Sequence, residues 1–84
     1  MASRRELIRA IDLYLSGDWA GAQAIVAAHA SDRRACEIHA ILHRRRGDTE
    51  TARRWYAEAG IFEWPASDPE GQLLRLRDEL LHQP

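Results

Sequence analysis

One cysteine and two histidines form the pattern with the clearest chemical potential in this chain. Cys36, His39 and His43 follow the spacing C-x2-H-x3-H, which places a thiol and two imidazoles on one flank of a helix. Histidines four residues apart can chelate a metal ion, but a structural zinc site needs a fourth ligand and a catalytic site needs three ligands plus water. His29 is the one other histidine before the tail that can approach. The three residues are therefore candidate metal ligands.

A simpler interpretation accounts for the same residues. Cys36 can be a small half-buried hydrophobe, and the histidines can border the core as neutral imidazoles. We favour this interpretation and predict no metal and no cofactor. A Cys36–His39 nucleophile is disfavoured because side chains on one helix seldom align for proton transfer and no glycine-rich turn supplies an oxyanion hole. The sequence also contains no phosphate loop and no dinucleotide fingerprint, so we predict that the protein is not an enzyme.

Basic residues are concentrated in the middle of the chain. Residues 33–54 carry seven arginines and three acidic residues, whereas residues 55–84 carry two arginines and six acidic residues. A basic face from Arg33 to Arg54, with Arg44 pointing away from the core, can bind nucleic acid weakly through phosphate contacts. We favour helix electrostatics instead, because Arg44 lies near a predicted helix C-terminus and the net charge of the chain is −1. Nucleic-acid binding stays a further alternative.

The chain contains an internal repeat with an offset of 30 residues. Eight residues of the first copy recur in the second: Arg4 and Arg34, Ile8 and Ile38, Ala10 and Ala40, Ile11 and Ile41, Gly17 and Gly47, Asp18 and Asp48, Ala22 and Ala52, Ala27 and Ala57. In each copy, a Gly-Asp pair follows an apolar segment, so that the glycine ends one helix and the aspartate caps the next. The repeat therefore predicts two helix hairpins.

Capping signals complete the predicted organisation. Ser3 and Glu6 form an S-x-x-E capping box for the first helix, and either Ser31 or Asp32 begins the third. Asp68 followed by proline begins a fifth helix. The expected architecture is one all-α domain, residues 1–84, with hairpins at 4–30 and 32–60, a loop at 61–67 and a C-terminal helix at 68–82.

Apolar residues at helical spacing predict which faces are buried. On the first four helices the expected inward residues are Ile8, Ile11, Leu15, Trp19, Ala22, Ile25, Val26, His29, Ala35, Ile38, Ile41, Leu42, Thr49, Ala52, Trp55, Tyr56 and Ala59. On the fifth helix, Leu73, Leu76 and Leu80 form an apolar face that Leu74 and Leu81 flank.

The Gly-Asp-x-x-x-Ala run followed by an apolar or aromatic pair resembles the second helix of a tetratricopeptide repeat. The resemblance covers residues 4–60, with a period of 30 residues where that family has about 34. It implies right-handed stacking of the hairpins and a role in binding other proteins. The segment from Ile38 to Gly60 also looks like a group of small uncharacterised bacterial helical proteins, a likeness that implies no known activity.

Two groups of apolar residues are the predicted interaction surfaces, together with Arg44 and Arg54. Phe62 and Trp64 lie in the loop before the last helix, where they either form an exposed hot spot or, as we favour, attach the loop to the body. Arrays of this kind need three or more repeats and this chain has two, so a second copy can share the face of Leu73, Leu76 and Leu80. We therefore predict a homodimeric interaction or scaffolding module of unknown specificity.

Composition limits the location of the protein. The chain is 45% hydrophobic and 30% charged, a balance typical of folded domains. Its single cysteine excludes an internal disulfide, and its first residues lack the apolar core of a signal peptide. No apolar run approaches the roughly 20 residues that cross a bilayer. We therefore expect a cytoplasmic protein without membrane contact.

Overall fold

The computed structural model describes residues 3–82, which form five α-helices joined by short turns and one longer loop. The helices are α1 (Arg4–Leu15), α2 (Trp19–Ala27), α3 (Arg33–Arg45), α4 (Thr49–Glu58) and α5 (Pro69–Leu81). The predicted all-α fold is confirmed, and the described part of the chain contains no strand. Residues 1, 2, 83 and 84 of the predicted domain lie outside the described range.

The predicted capping residues begin the helices. The Glu6 N–H donates to Ser3 Oγ at 3.1 Å, and the Ser3 N–H donates back to the Glu6 carboxylate at 3.3 Å. Of the two alternatives for α3, Asp32 is the cap, because its Oδ1 accepts two N–H groups of the first turn at 2.9 and 3.1 Å. Asp68 caps α5 by accepting the Gly71 N–H at 2.6 Å. These contacts satisfy amides that have no partner inside the helix.

The two Gly-Asp turns have the same local structure. Gly17 and Gly47 have φ angles of 98° and 85°, in the left-handed region that glycine adopts without steric cost. The N–H groups of Asp18 and Asp48 donate to the carbonyls five residues earlier, at 2.8 and 3.0 Å. Positions that are 30 residues apart in the sequence repeat thus form turns of the same structure. The tetratricopeptide-like stacking of whole hairpins remains a prediction.

Helix α3 is the centre of the domain and contacts all four other helices. Within each predicted hairpin, α1 packs on α2 and α3 packs on α4. Helix α5 packs against both α1 and α3. Seven residues of α3 are buried, in keeping with this central position: Ala35, Cys36, Ile38, His39, Ala40, Ile41 and Leu42.

The buried stripe of α1 differs from the predicted one. Leu7, Ala10 and Ile11 are buried, whereas Ile8 is half-buried and Leu15 is 42% exposed. Leu15 is the last residue of α1, where the chain turns away and a shallow surface cavity opens. The prediction that Leu15 is inward is therefore wrong. Thr49, also predicted to be inward, is exposed, so that prediction is wrong as well. Trp19, Ile25 and Trp55 are half-buried and pack against the core, and His29 is half-buried just after the end of α2.

None of the helices in residues 3–82 combines the length and the apolar character that a membrane-spanning helix requires.

Candidate functional site

The predicted metal ligands do not converge. Cys36 is 2% exposed, and its Sγ donates to the Ala30 carbonyl at 3.0 Å. Burial raises the pKa of this thiol, which disfavours the thiolate that a metal or a nucleophilic reaction needs. The His29 Nε2 lies 2.9 Å from the Glu6 carboxylate. Within residues 3–82, no three His, Cys, Asp or Glu side chains are grouped so that they could hold a metal ion.

His39 and His43 belong instead to a column of four aromatic rings. His39 is stacked between Trp55 and His43, with ring centroids 4.1 and 5.0 Å apart and interplanar angles of 20° and 25°. His43 meets Trp19 edge-on at 6.1 Å. Because Trp19 belongs to α2 and Trp55 to α4, the column connects the two hairpins along α3.

The environment of His39 favours its neutral form. The residue is 5% exposed, and burial, followed by repulsion from His43, lowers its pKa from 6.5 to about 4. Its Nδ1 is buried without a hydrogen-bond partner, as are Trp19 Nε1 and Gln23 Oε1. A charged imidazole here would lose most of its hydration, and its Nδ1–H would have no acceptor. The interpretation of His39 as a neutral imidazole beside the core fits this geometry.

The loop between α4 and α5 is attached to the body through Trp64. Its ring meets Tyr56 edge-on at 5.5 Å, and the guanidinium groups of Arg44 and Arg53 lie 5.1 and 5.6 Å from its centroid. Phe62, two residues earlier, is 84% exposed. The prediction that both aromatics hold the loop is thus correct for Trp64 and wrong for Phe62.

Hydrogen bonds from two helices fix the path of this loop. Arg44 of α3 donates to the Pro65 carbonyl at 3.4 Å, and Arg75 of α5 donates to Ser67 Oγ at 2.6 Å. The prediction that Arg44 points away from the core is therefore wrong: it is half-buried and lies between α3, the loop and α5.

A buried polar network lies beneath the loop. Gln72 is 6% exposed, and its Oε1 accepts from Tyr56 Oη at 2.8 Å and from Arg44 at 3.2 Å. Its Nε2 donates to Glu37 Oε2 at 3.3 Å. Burial is the main cause that raises the pKa of both Glu37 and Tyr56. Gln72 was not among the predicted site residues, although its position four residues before Leu76 indicated the inner face of α5.

A cavity of about 480 Å³ opens between this loop, α3 and α5. Trp64 and Pro65 form its aromatic and aliphatic side, and Gln72 lies at its inner end. Its ionisable lining consists of the acids Glu37, Glu63 and Glu79 and one base, Arg75. An open cavity of this size can accept a side chain of a partner, and the excess of carboxylates favours a cationic one.

The predicted basic face is divided. Arg33 and Arg44 lie at opposite ends of α3, a helix whose 13 residues span about 20 Å. Arg54 is exposed and lines a different cavity beside Trp55, and Arg45 pairs with Glu70 at 3.4 Å. A duplex needs a continuous row of phosphate contacts, so this arrangement gives nucleic-acid binding no support.

The leucine face predicted for a partner lies inside the chain itself. Leu73, Leu76 and Leu80 are 0, 4 and 1% exposed, because α5 packs them against α1 and α3. These three residues are therefore part of the core and cannot contact a partner without unfolding α5. The exposed leucines of α5 are the two flanking ones, Leu74 at 54% and Leu81 at 50%.

Comparisons with known proteins gave no match: no family model fits the chain, and no curated protein and no solved structure was found to be similar.

Proposed function

We propose that this protein is a non-catalytic protein–protein interaction module and that the α4–α5 loop is its docking element. The observation that carries the proposal is Phe62, a large apolar side chain that is 84% exposed on a loop whose position is fixed. Exposing a phenylalanine to water has no benefit for the stability of the domain. A binding role accounts for it.

The anchoring of the loop supports this role. Trp64 packs on Tyr56, and hydrogen bonds from Arg44 and Arg75 hold the residues after it. A partner that binds Phe62 therefore loses little free energy to ordering of the loop. Aromatic anchors on rigid supports commonly carry a large share of interface energy.

The neighbouring cavity indicates the chemistry of the partner. Its three carboxylates outnumber its one guanidinium, and the Glu37 carboxylate inside it is partly desolvated. We expect a partner segment that packs an apolar side chain on Phe62 and inserts a lysine or arginine into the cavity. The function needs no cofactor, and the single buried thiol Cys36 is compatible with the cytoplasm.

Parallel peptide selections test the proposal. A random peptide display library is selected on the wild-type protein. The enriched peptides are then measured against Phe62→Ser and against the control Leu74→Ser, which changes another exposed apolar residue on a different surface. We expect Phe62→Ser to weaken binding by about tenfold or more, Leu74→Ser to have no effect, and the peptides to contain basic residues. Peptides that bind Phe62→Ser as tightly as wild type would contradict the proposal.

A further inference from the structure

The exposed large hydrophobic side chains of residues 3–82 fall into two groups. Phe62 and Trp64 belong to the loop already described. Leu15, Leu74 and Leu81, which are 42, 54 and 50% exposed, lie on α1 and α5. The second group needs its own explanation, because clustered apolar surface on a small protein commonly marks a contact site.

An ion pair shows how α1 and α5 face each other. Arg77 of α5 donates from Nε to Asp12 Oδ1 at 2.6 Å and from Nη2 to Oδ2 at 3.5 Å. Glu70, near the start of α5, lines a surface cavity with Leu15 at the end of α1. The two helices are therefore antiparallel, with the Asp12–Arg77 pair near the middle of their shared surface.

Aliphatic residues lie on both sides of this ion pair at matching intervals. On α1, Ile8, which is half-buried against the core, precedes Asp12 by four residues, and the exposed Leu15 follows it by three. On α5, Leu74 precedes Arg77 by three residues and Leu81 follows it by four. Residues three or four apart share one helix face, so each helix presents an aliphatic–charged–aliphatic stripe. Counted from the Asp12–Arg77 pair along antiparallel helices, this spacing places Ile8 level with Leu81 and Leu15 level with Leu74.

We propose that this surface, defined by Ile8, Asp12, Leu15, Leu74, Arg77 and Leu81 and called here the α1/α5 face, is the interface of a homodimer. The two-fold axis of this dimer is parallel to both helices and lies above the groove between them, outside the protomer. It places α1 of each copy on α5 of the other, in a four-helix arrangement. Two aliphatic layers then enclose a central layer of two aspartates and two arginines. The interface is isologous and closes at two chains.

Charge complementarity identifies a second copy as the occupant. Under this axis Asp12 of one protomer meets Arg77 of its partner, so that the four charges alternate in sign. The outer edges match as well, because α1 carries the exposed Arg9 where α5 of the other copy carries the exposed Asp78. A surface with one acid and one base side by side is complementary to itself, which orients the two chains.

The expected dimer is weak. Helices of 12 and 13 residues are about 18 to 20 Å long and pack about 8 to 10 Å apart. Two such faces bury on the order of 1,000 Å² together, which is at the lower limit for a specific interface. We therefore expect dissociation in the micromolar range, with the aliphatic layers supplying affinity and the charged layer supplying orientation.

The first test is a concentration series in analytical ultracentrifugation. The mass should rise from 9.6 kDa to twice that value between about 5 and 500 µM, a range in which a micromolar dimer assembles. Leu74→Ser with Leu81→Ser should weaken association by about tenfold or more, while the matched control Phe62→Ser should dimerise like wild type. A monomeric wild type at the highest concentration, or a normal dimer of the double variant, overturns the proposal.

The second test exchanges charges between chains. Asp12→Arg and Arg77→Asp each place like charges across the two-fold axis, so each variant alone should be monomeric, with its fold checked by circular dichroism. An equimolar mixture should form a heterodimer, because one chain supplies two arginines and the other two aspartates. A mixture that stays monomeric overturns the proposal. Peptide binding at Phe62 should be unaffected in these variants, so this interface and the docking loop can fail independently.

Discussion

His39 lies flat against Trp55, with ring centroids 4.1 Å apart and ring planes inclined by 20°. The contact joins α3 to α4 at a position where His43 covers the other side of the imidazole at 5.0 Å. The neutral ring packs here as an aromatic residue would. Protonation would place a charge between two rings and beside a second histidine, where burial removes most of the hydration of the ring.

The stability of the protein should therefore fall as the solution becomes acidic. The pKa of His39 is lowered from 6.5 to about 4, so between these values the unfolded chain binds a proton that the folded chain does not. The stabilisation is present above pH 6.5 and is lost as the pH falls towards 4. The shift corresponds to about 3 kcal/mol in total.

Urea unfolding of wild type and His39→Gln between about pH 7 and pH 4 measures this contribution. The difference in unfolding free energy between the two proteins should shrink steadily as the pH falls, because the variant has no titrating group at this position. A difference that does not change with pH would show that His39 titrates normally in the folded state.

Zinc should not stabilise this protein. Cys36 donates to a backbone carbonyl and His39 is enclosed by rings, so the C-x2-H-x3-H pattern does not present three ligands to one point. Differential scanning calorimetry with stoichiometric zinc should give an unchanged melting temperature. A rise of several degrees that disappears when both His39 and His43 are changed to Gln would contradict this prediction.

Ala22 and Ala52, equivalent positions of the sequence repeat, are both fully buried. Changing either one to Leu should lower the free energy of unfolding by about 1 to 3 kcal/mol, because the added atoms have no space between the paired helices. Ala20 is exposed, and its change to Leu is the control. Thermal melts of the three variants make the comparison, and equal effects at all three positions would show that the helices are not packed in this register.

The side chain of Gln72 should contribute more to the stability of the protein than the hydroxyl group of Tyr56. Tyr56→Phe leaves Gln72 Oε1 bonded to Arg44, so we expect a loss of about 1 kcal/mol. Gln72→Leu leaves Tyr56 Oη and the Glu37 carboxylate without this partner, and we expect a loss of about 1 to 3 kcal/mol. Chemical denaturation measures both values. A larger loss for Tyr56→Phe would mean that the network depends on the hydroxyl group.

Local features of this fold could be predicted from the sequence because their partners are close along the chain. The Ser3–Glu6 capping box joins residues three positions apart, and the Gly17-Asp18 turn closes within five. Such contacts depend on residue type and spacing alone. The helix order, the caps and both glycine turns follow from these rules.

The sequence by itself also showed which residues were candidates for a site, but it could not show how they are grouped. Cys36, His39 and His43 share a flank of one helix, yet only residues from α2 and α4 determine that the imidazoles stack while the thiol bonds to Ala30. Phe62 and Trp64 are two residues apart, and only the arginines and Tyr56 of other helices distinguish the attached ring from the exposed one.

Tertiary structure alone decided what the leucine face of α5 packs against. The spacing identified Leu73, Leu76 and Leu80 as this face, but it left open whether the face covers the same chain or a second copy. Two long-range contacts attach α5 to its own chain: Arg77 reaches Asp12 across 65 positions, and Gln72 accepts from Tyr56 across 16. Leu73, Leu76 and Leu80 are therefore buried against α1 and α3, while Leu74 and Leu81 stay exposed. Spacing along one helix cannot decide this, because it depends on where the other helices lie in space.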